Sequence, residues 1–560
     1  MIVQDLLIPA STADTCRLSF FLGILLHITA FRRGEWHLYT LHLIAAIVII
    51  SGSATAALTI LGPDNGKSVA GVAAAARAVA TVLSTCVLGI FSSTLAYRAF
   101  LHRLGPFRGP FLARLSSLYM TFLSYKDFQL FDEVHKLHAQ YGDIVRVGPC
   151  ELSIADPKAH HLILSKQSRC IKGPWYDTNH PSTSVHTTRD PDDHDVRRRY
   201  WDKGLGSRAL RDYEPRVQKY AQQLLQHVEA SCGKPIDMSM WFLFYSFDVM
   251  GELALSKSFD MMRHGVLHDY VKSLHANVAV FGALRHVAWA LPLYQTIPGL
   301  NRLYVKLHEW IVEQVHLRKE RETEASDVFS CIAAGYEANG MNSALDVANF
   351  HDEVHLVIFA GSDTVGVSAT NILFELARNP DIAAKLRREL NDYFAARETP
   401  DAPSLSKLAY LGACIDEGMR LYPVIPSGLQ RVTPPEGLQL GKVYIPGGTI
   451  VHMPTYTVHR DERSFVHANE FIPERWTTRP ELIKDASVFA PFGAGRYSCP
   501  GKQLGLMEMR HAISSIVHQY TIRLAPGQTE EGYLRGLRDL FTMAVPPLKL
   551  VFEKVDTGVV

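Results

Sequence analysis

Residues 38–61 and 78–97 contain no Asp, Glu, Lys or Arg, and nothing else in the chain restricts its folding as much. In hydrocarbon no water is present to take the backbone N–H and C=O groups, so an apolar segment of that length is stable only as a helix. Leu38 to Leu61 and Ala78 to Tyr97 are therefore expected to cross a membrane. Leu18 to Phe31 is apolar but short. It spans only if its helix runs back through Cys16 and Arg17, and is otherwise an interfacial or signal-like segment, though without an obvious small-residue cleavage site. Arg32 and Arg33 follow the first stretch, the second loop carries only Asp64 and Lys67, and Arg98, Arg103, Arg108 and Arg114 follow the last. Under the positive-inside rule this charge placement predicts a lumenal N-terminus, three crossings and a cytosolic body. The spans hold no acidic residue that would mark an ion path, which argues against a transporter.

A single change of composition, near residue 100, separates this region from the rest of the chain. Leu104-Gly105-Pro106-Phe107-Arg108-Gly109-Pro110 ends the last span and forms a semi-rigid neck. Hydrophobic residues make up 47% of the chain and the formal net charge is +1, values that indicate neither disorder nor a nucleic-acid footprint. Eight cysteines are scattered without the close pairs of a zinc site or a disulfide framework, which suits a reducing compartment. In the body, Gly142 to Pro149 and Glu151 to Ile154 read as two strands across a Gly-Pro turn, and Val443 to Thr449 reads as a hairpin. A helical pattern runs from about Leu345 to Arg378 and stops at Asn379-Pro380.

The chemistry centres on Phe492-Gly493-Ala494-Gly495-Arg496-Tyr497-Ser498-Cys499-Pro500-Gly501. Pro500 suits a first helical turn, and Lys502 to Tyr520 carries apolar residues near helical spacing, so Cys499 stands at the mouth of a helix. Unpaired N–H groups and the positive end of the helix dipole there favour a thiolate, which is a metal ligand. The glycines let the backbone approach a flat ligand, and Phe492 supplies an aromatic wall.

This decapeptide resembles the haem-binding loop of cytochrome P450 monooxygenases, and companion motifs occur in the family's order from about residue 97 to 546. The resemblance implies a mainly α fold with small β-sheets preceded by transmembrane helices. It divides the chain into a membrane region (1–98), a Pro/Gly hinge (99–115) and a haem-thiolate domain (116–560). Cys499 would be the axial ligand of haem b. Phe492, Gly495, Arg496, Tyr497, His194, Arg198 and Arg431 would line the cofactor. Tyr497 departs from the family, which usually has a basic residue there to meet a propionate. Ala360-Gly361-Ser362-Asp363-Thr364 resembles the oxygen-activation motif: small residues leave room for a diatomic ligand, and Thr364 with Asp363 delivers protons. Glu417, Arg420 and Arg475 match a buried charge triad. Leu267 to Leu300 corresponds to a mobile lid, and Phe541 to Val545 returns a loop to the active site.

By the same resemblance, electrons come from NADPH through a separate cytochrome P450 reductase docking near Lys502 and Arg496. The body faces the cytosol from the endoplasmic reticulum membrane, and the substrate is a hydrophobic small molecule of fungal secondary metabolism. Two other readings keep less of the chemistry: an isomerase or dehydratase of the same fold needing no reductase, and a non-catalytic haem-binding membrane protein. His351 and His355, four apart, have zinc-ligand spacing, but the acid between them is misplaced for a zinc protease and no third ligand is suggested.

Overall fold

The computed structural model describes residues 11–61, 68–321, 327–396 and 399–555. The loop carrying Asp64 and Lys67 lies outside the described residues.

The first apolar stretch does extend backward. Helix α1 runs Thr12–Leu26 from a Ser11 cap and continues as a wider turn over His27–Phe31, giving 20 residues long and apolar enough to cross a membrane. Helix α2 spans Thr40–Leu61 and α3 spans Val69–Ala96, both also long and apolar enough. Helices α1 and α3 pack closely because each offers a glycine to the other's backbone. A Cβ on Gly23 would fall 2.0 Å from the Cys86 carbonyl oxygen, and one on Gly89 would fall 2.1 Å from that of Phe20. Small residues at such crossings are what hold helices together where no hydrophobic force acts between them.

The neck is bound to the body. Arg146 Nη2 of the body donates to the Arg98 carbonyl at 3.3 Å, Arg103 donates to the Gly447 and Gly448 carbonyls, and Leu104 is fully buried.

The body is mostly helical around one large core, with a smaller apolar cluster under the sheet. Strands β1 (Ile144–Gly148) and β2 (Glu151–Ile154) form the expected antiparallel pair. They belong to a five-stranded sheet of order β1-β2-β5-β4-β3, where β3 is Ile171–Lys172, β4 is Arg431–Val432 and β5 is Ile450–His452. The hairpin expected at Val443 to Thr449 is displaced: Val443–Ile445 is its second arm, paired with Leu438–Leu440 across a turn that uses Gly441 at φ +57°. The turn chemistry sits at Gly441-Lys442, ahead of the Pro-Gly-Gly run.

Six helices position the site: α4 (Pro191–Gly204), α5 (Met238–Leu255), α6 (Asp269–Leu284), α7 (Ala344–Arg378), α8 (Ala409–Leu421) and α9 (Lys502–Gln519). Helix α7 starts at a capping box between Ser343 and Asp346 and crosses the core against α5. The lid segment comprises α6, a loop through Arg285 to Val287, and a short helix Leu291–Thr296. Strands β6 (Arg538–Leu540) and β7 (Thr542–Ala544) form a hairpin whose tip, Phe541, has φ +85° and stacks on Trp175 at 4.2 Å.

Candidate active site

Cys499 closes a tight loop before α9: its N–H donates to the Phe492 carbonyl at 2.8 Å. Gly495 has φ +66°, and a Cβ there would lie 2.5 Å from the Leu164 carbonyl, so the position accepts only glycine. The N–H groups of Gly501 and Lys502 point at the Cys499 sulfur, as a helix mouth requires. Desolvation of the loop opposes them and raises the thiol pKa. A bound metal cation deprotonates such a thiol outright.

Beside this loop lies a cluster of cations. Lys172 on β3 and Arg431 on β4 are 2% and 3% exposed. Lys172 Nζ donates to the Val185 carbonyl at 2.7 Å, and Arg431 Nη1 to the Gln430 carbonyl at 2.9 Å and the Tyr176 hydroxyl at 3.2 Å. Among the described residues neither forms an ion pair with a carboxylate, and Arg431 Nε has no hydrogen-bond partner. Both stand over the Tyr497 ring, at 4.9 and 5.0 Å from its centroid. The uncompensated charge shows in its neighbours. Burial, then Arg431, lowers Lys172 to about 6; burial, then Lys172, lowers His186 to about 3 and His194 to about 4. Buried cations are normally paired, so this pocket is shaped for an anionic ligand lying over Tyr497.

The remaining expected residues divide into two groups. His194 is buried with its ring edge-on to Tyr497 at 4.8 Å, and Arg198 Nη1 donates to the Ser498 carbonyl at 2.5 Å, pinning the loop. Phe492 packs against the main core. Arg496 points outward, 3.9 Å from Asp195. Sequence reasoning missed Lys172, whose partners lie far along the chain, and Arg197. Arg197 joins α4 to Glu353 of α7 at 3.2 Å, where Trp201 Nε1 also donates at 2.9 Å. Glu353 is thereby engaged, and His351 and His355 belong to no group of three potential metal ligands among the described residues.

On α7, the Thr364 hydroxyl donates to the Ala360 carbonyl at 2.7 Å, and His275 of α6 lies with Nε2 2.9 Å from Asp363 Oδ1. Burial opposes charge on His275, but the Asp363 carboxylate outweighs it and raises the pKa. Gly361 also packs against α5: a Cβ there would come within 2.7 Å of the Met250 side chain, which would have to shift.

Glu417, Arg420 and Arg475 come together with side chains fully buried. Arg420 donates to both carboxylate oxygens at 2.8 Å, Arg475 Nε to one at 2.9 Å, and Trp476 Nε1 and the Ile472 N–H each add a bond at 3.0 Å. Every lone pair of the carboxylate is engaged.

Residues 110–552 match the family model described as cytochrome P450. The chain is 48% identical over 545 residues to the cytochrome P450 monooxygenase FCK2 of Fusarium pseudograminearum, covering 96% of this chain and 98% of that one. It is 37% identical over 558 residues to the cytochrome P450 monooxygenase phqL of Penicillium fellutanum, covering 99% and 98%. It is 35% identical over 537 residues to the tryprostatin B 6-hydroxylase of Aspergillus fumigatus, covering 95% of each.

Proposed function

Because the chain belongs to the cytochrome P450 family, we propose that residues 116–560 hold iron protoporphyrin IX through Cys499, that 1–98 anchor them in a membrane and that 99–115 join the two. The protein is a monooxygenase, and its N-terminal helices support membrane anchoring. A thiolate-ligated haem, when bound, supplies reductive cleavage of O₂.

The observation that carries the cofactor reading is the pair Lys172 and Arg431, buried without carboxylate partners beside the Cys499 loop. Two propionates would pair Arg431 and restore the proton that burial and Arg431 weaken on Lys172. Lys172 then provides the charge that the family usually places where this chain has Tyr497, and the Tyr497 ring orients both cations by its π face. His194 and Arg198 hold the loop from α4, Phe492 closes its core side, and Gly495 lets it turn. Arg496 serves the outer surface with Lys502, where a reductase carrying electrons from NADPH would dock.

Thr364 and Asp363 handle protons. The Thr364 hydroxyl can turn from the Ala360 carbonyl toward a water in the pocket. Asp363, held by His275, passes a proton to that water from the α6 side. The Glu417–Arg420–Arg475 triad fixes the segment leading to the Cys499 loop. The setting is the endoplasmic reticulum membrane with the body in the cytosol. The substrate is a hydrophobic secondary metabolite of the kind that the tryprostatin B hydroxylase among the relatives supports.

The test is a carbon monoxide difference spectrum of the reduced full chain, with haem content per chain. Wild type is expected to bind one haem and show the long-wavelength band of thiolate ligation; Cys499→Ser loses that band, and Lys172→Met lowers haem retention. An unchanged band in Cys499→Ser would refute the reading. NADPH oxidation that needs no added reductase would refute the electron route.

A further inference from the structure

A second donor cluster lies away from Cys499, between the sheet and the lid. Glu151 on β2 and His452 on β5 stand on neighbouring parallel strands, and His286 comes down from the loop after α6. Their candidate donor atoms all lie within 4.8 Å of one another. His452 Nε2 is 2.5 Å and His286 Nδ1 3.4 Å from the same oxygen, Glu151 Oε1. The His286 side chain is only 4% exposed, yet neither of its ring nitrogens meets hydrogen-bond geometry with any described residue. A buried imidazole aimed at a carboxylate without bonding to it is in the posture of a ligand.

The space beside it is small. A cavity of about 30 Å³ lies between His286, His452, Ser153, Gln430 and the Phe541 tip. It leaves room for a water beside the two histidines, since a single water needs about 10–15 Å³ by the same measure. Two imidazoles and one carboxylate suit zinc, which is content with four tetrahedral ligands. Six-coordinate cations that favour oxygen find too few donors and too little room. We infer that Glu151, His286 and His452 form a zinc(II) site that fastens the lid loop to the sheet, with water as fourth ligand. Arg285, next to His286, already holds the loop to the hairpin, donating to Asp539 at 2.9 Å. Zinc would add a second fastening one residue along. The site owes nothing to iron at Cys499, so its failure and that of the cofactor reading are separable.

The full-length holoprotein, stripped with a chelator, would be dialysed against zinc(II) and its zinc and iron counted by elemental analysis. One zinc per chain is expected, with affinity falling at least tenfold in His286→Ala and in His452→Ala, both checked for folding by their carbon monoxide spectra. His316→Ala, on an exposed helix, is expected to bind as wild type. Amide hydrogen exchange adds a readout independent of variant folding: zinc is expected to slow exchange at residues 285–287 in wild type and leave it unchanged in His286→Ala. Absence of stoichiometric zinc, or zinc retained equally by both histidine variants, would overturn the proposal.

Discussion

Helices α2 and α7 are both long and apolar enough to cross a membrane, yet Ile49 of α2 is 66% exposed and Leu373 of α7 is fully buried. Length and composition do not separate them; what packs around them does. Helix α7 buries polar groups with partners on other elements: Glu353 meets Arg197, Glu375 meets Tyr422, and Asn371 accepts from Tyr533. Among the described residues helix α2 has no such ties along its length, and its hydroxyls fold back on their own helix, as Ser51 does to Ile47 and Thr59 to Thr55. A helix meant for lipid satisfies itself, whereas a helix meant for a protein interior carries polar groups that only the correct neighbour can satisfy. The body should therefore be brittle to loss of one polar partner, and the anchor to loss of close backbone approach.

The largest effect is expected at the triad. Arg475→Ala leaves Glu417 short of one charged partner in a fully buried setting, at a cost of about 3–5 kcal/mol. The measurement is haem content after purification, with a purified Arg475→Lys variant alongside. Lys cannot reproduce the fork geometry and is expected to lose nearly as much. Haem retention at wild-type level in Arg475→Ala would show that the body tolerates the loss of one charged partner from a buried carboxylate and would break the contrast.

The anchor's counterpart is Gly89→Leu. The added side chain would enter the Phe20 backbone, forcing α1 away from α3 at a cost of about 1–3 kcal/mol. Cross-linking between cysteines engineered at lipid-facing positions of α1 and α3 should fall sharply, while the body's carbon monoxide spectrum stays as in wild type. A damaged spectrum would mean that the two regions are not independent.

How far these features could be read from the chain depends on how far apart their parts lie. The triad was legible because Glu417 and Arg420 share one helix turn and Arg475 sits in a recognisable Pro-Glu-Arg-Trp run. The Cys499 loop was legible because its turn chemistry is local. Lys172 was not, since its meaning comes from Arg431 and Tyr497, hundreds of residues on. Glu151 and His452 are 301 residues apart and meet only because β2 and β5 are paired. Gly361 was legible as a requirement for smallness, but its neighbour Met250, on another helix, was not.

A smaller effect in the body sharpens the contrast from the other side. Glu508 in α9 is fully buried, neither carboxylate oxygen has a hydrogen-bond partner among the described residues, and burial raises its pKa well above the ordinary value. The folded state keeps this proton after the unfolded chain has lost it. Glu508 therefore costs stability progressively as pH rises above the unfolded carboxylate value of about 4.3, until it ionises in the folded state. Glu508→Gln is expected to stabilise the protein at neutral pH by about 1–2 kcal/mol and to flatten the pH dependence of its melting temperature. A variant less stable than wild type at neutral pH would mean that the carboxylate has a partner in solution.

The smallest effect lies at the junction of the two regions, where Glu35, just after the first membrane helix, accepts from both Arg189 Nη1 and Nη2 at 2.8 and 2.7 Å. Asp177 completes the contact, accepting from Arg189 at 2.6 Å and lying 2.8 Å from His37 Nε2. These pairs hold the loop after α1 against the body. Glu35 is half exposed, so the pair is worth about 0.3–1 kcal/mol, and Glu35→Ala alone should barely move the melting temperature. The informative measurement is a double-mutant cycle with Arg189→Ala at low and high salt. A coupling energy that shrinks with salt is expected of a loop resting against the body through charge. Zero coupling at low salt would detach the anchor's first loop from the body and leave the neck around Arg98 and Arg103 as the tie between them.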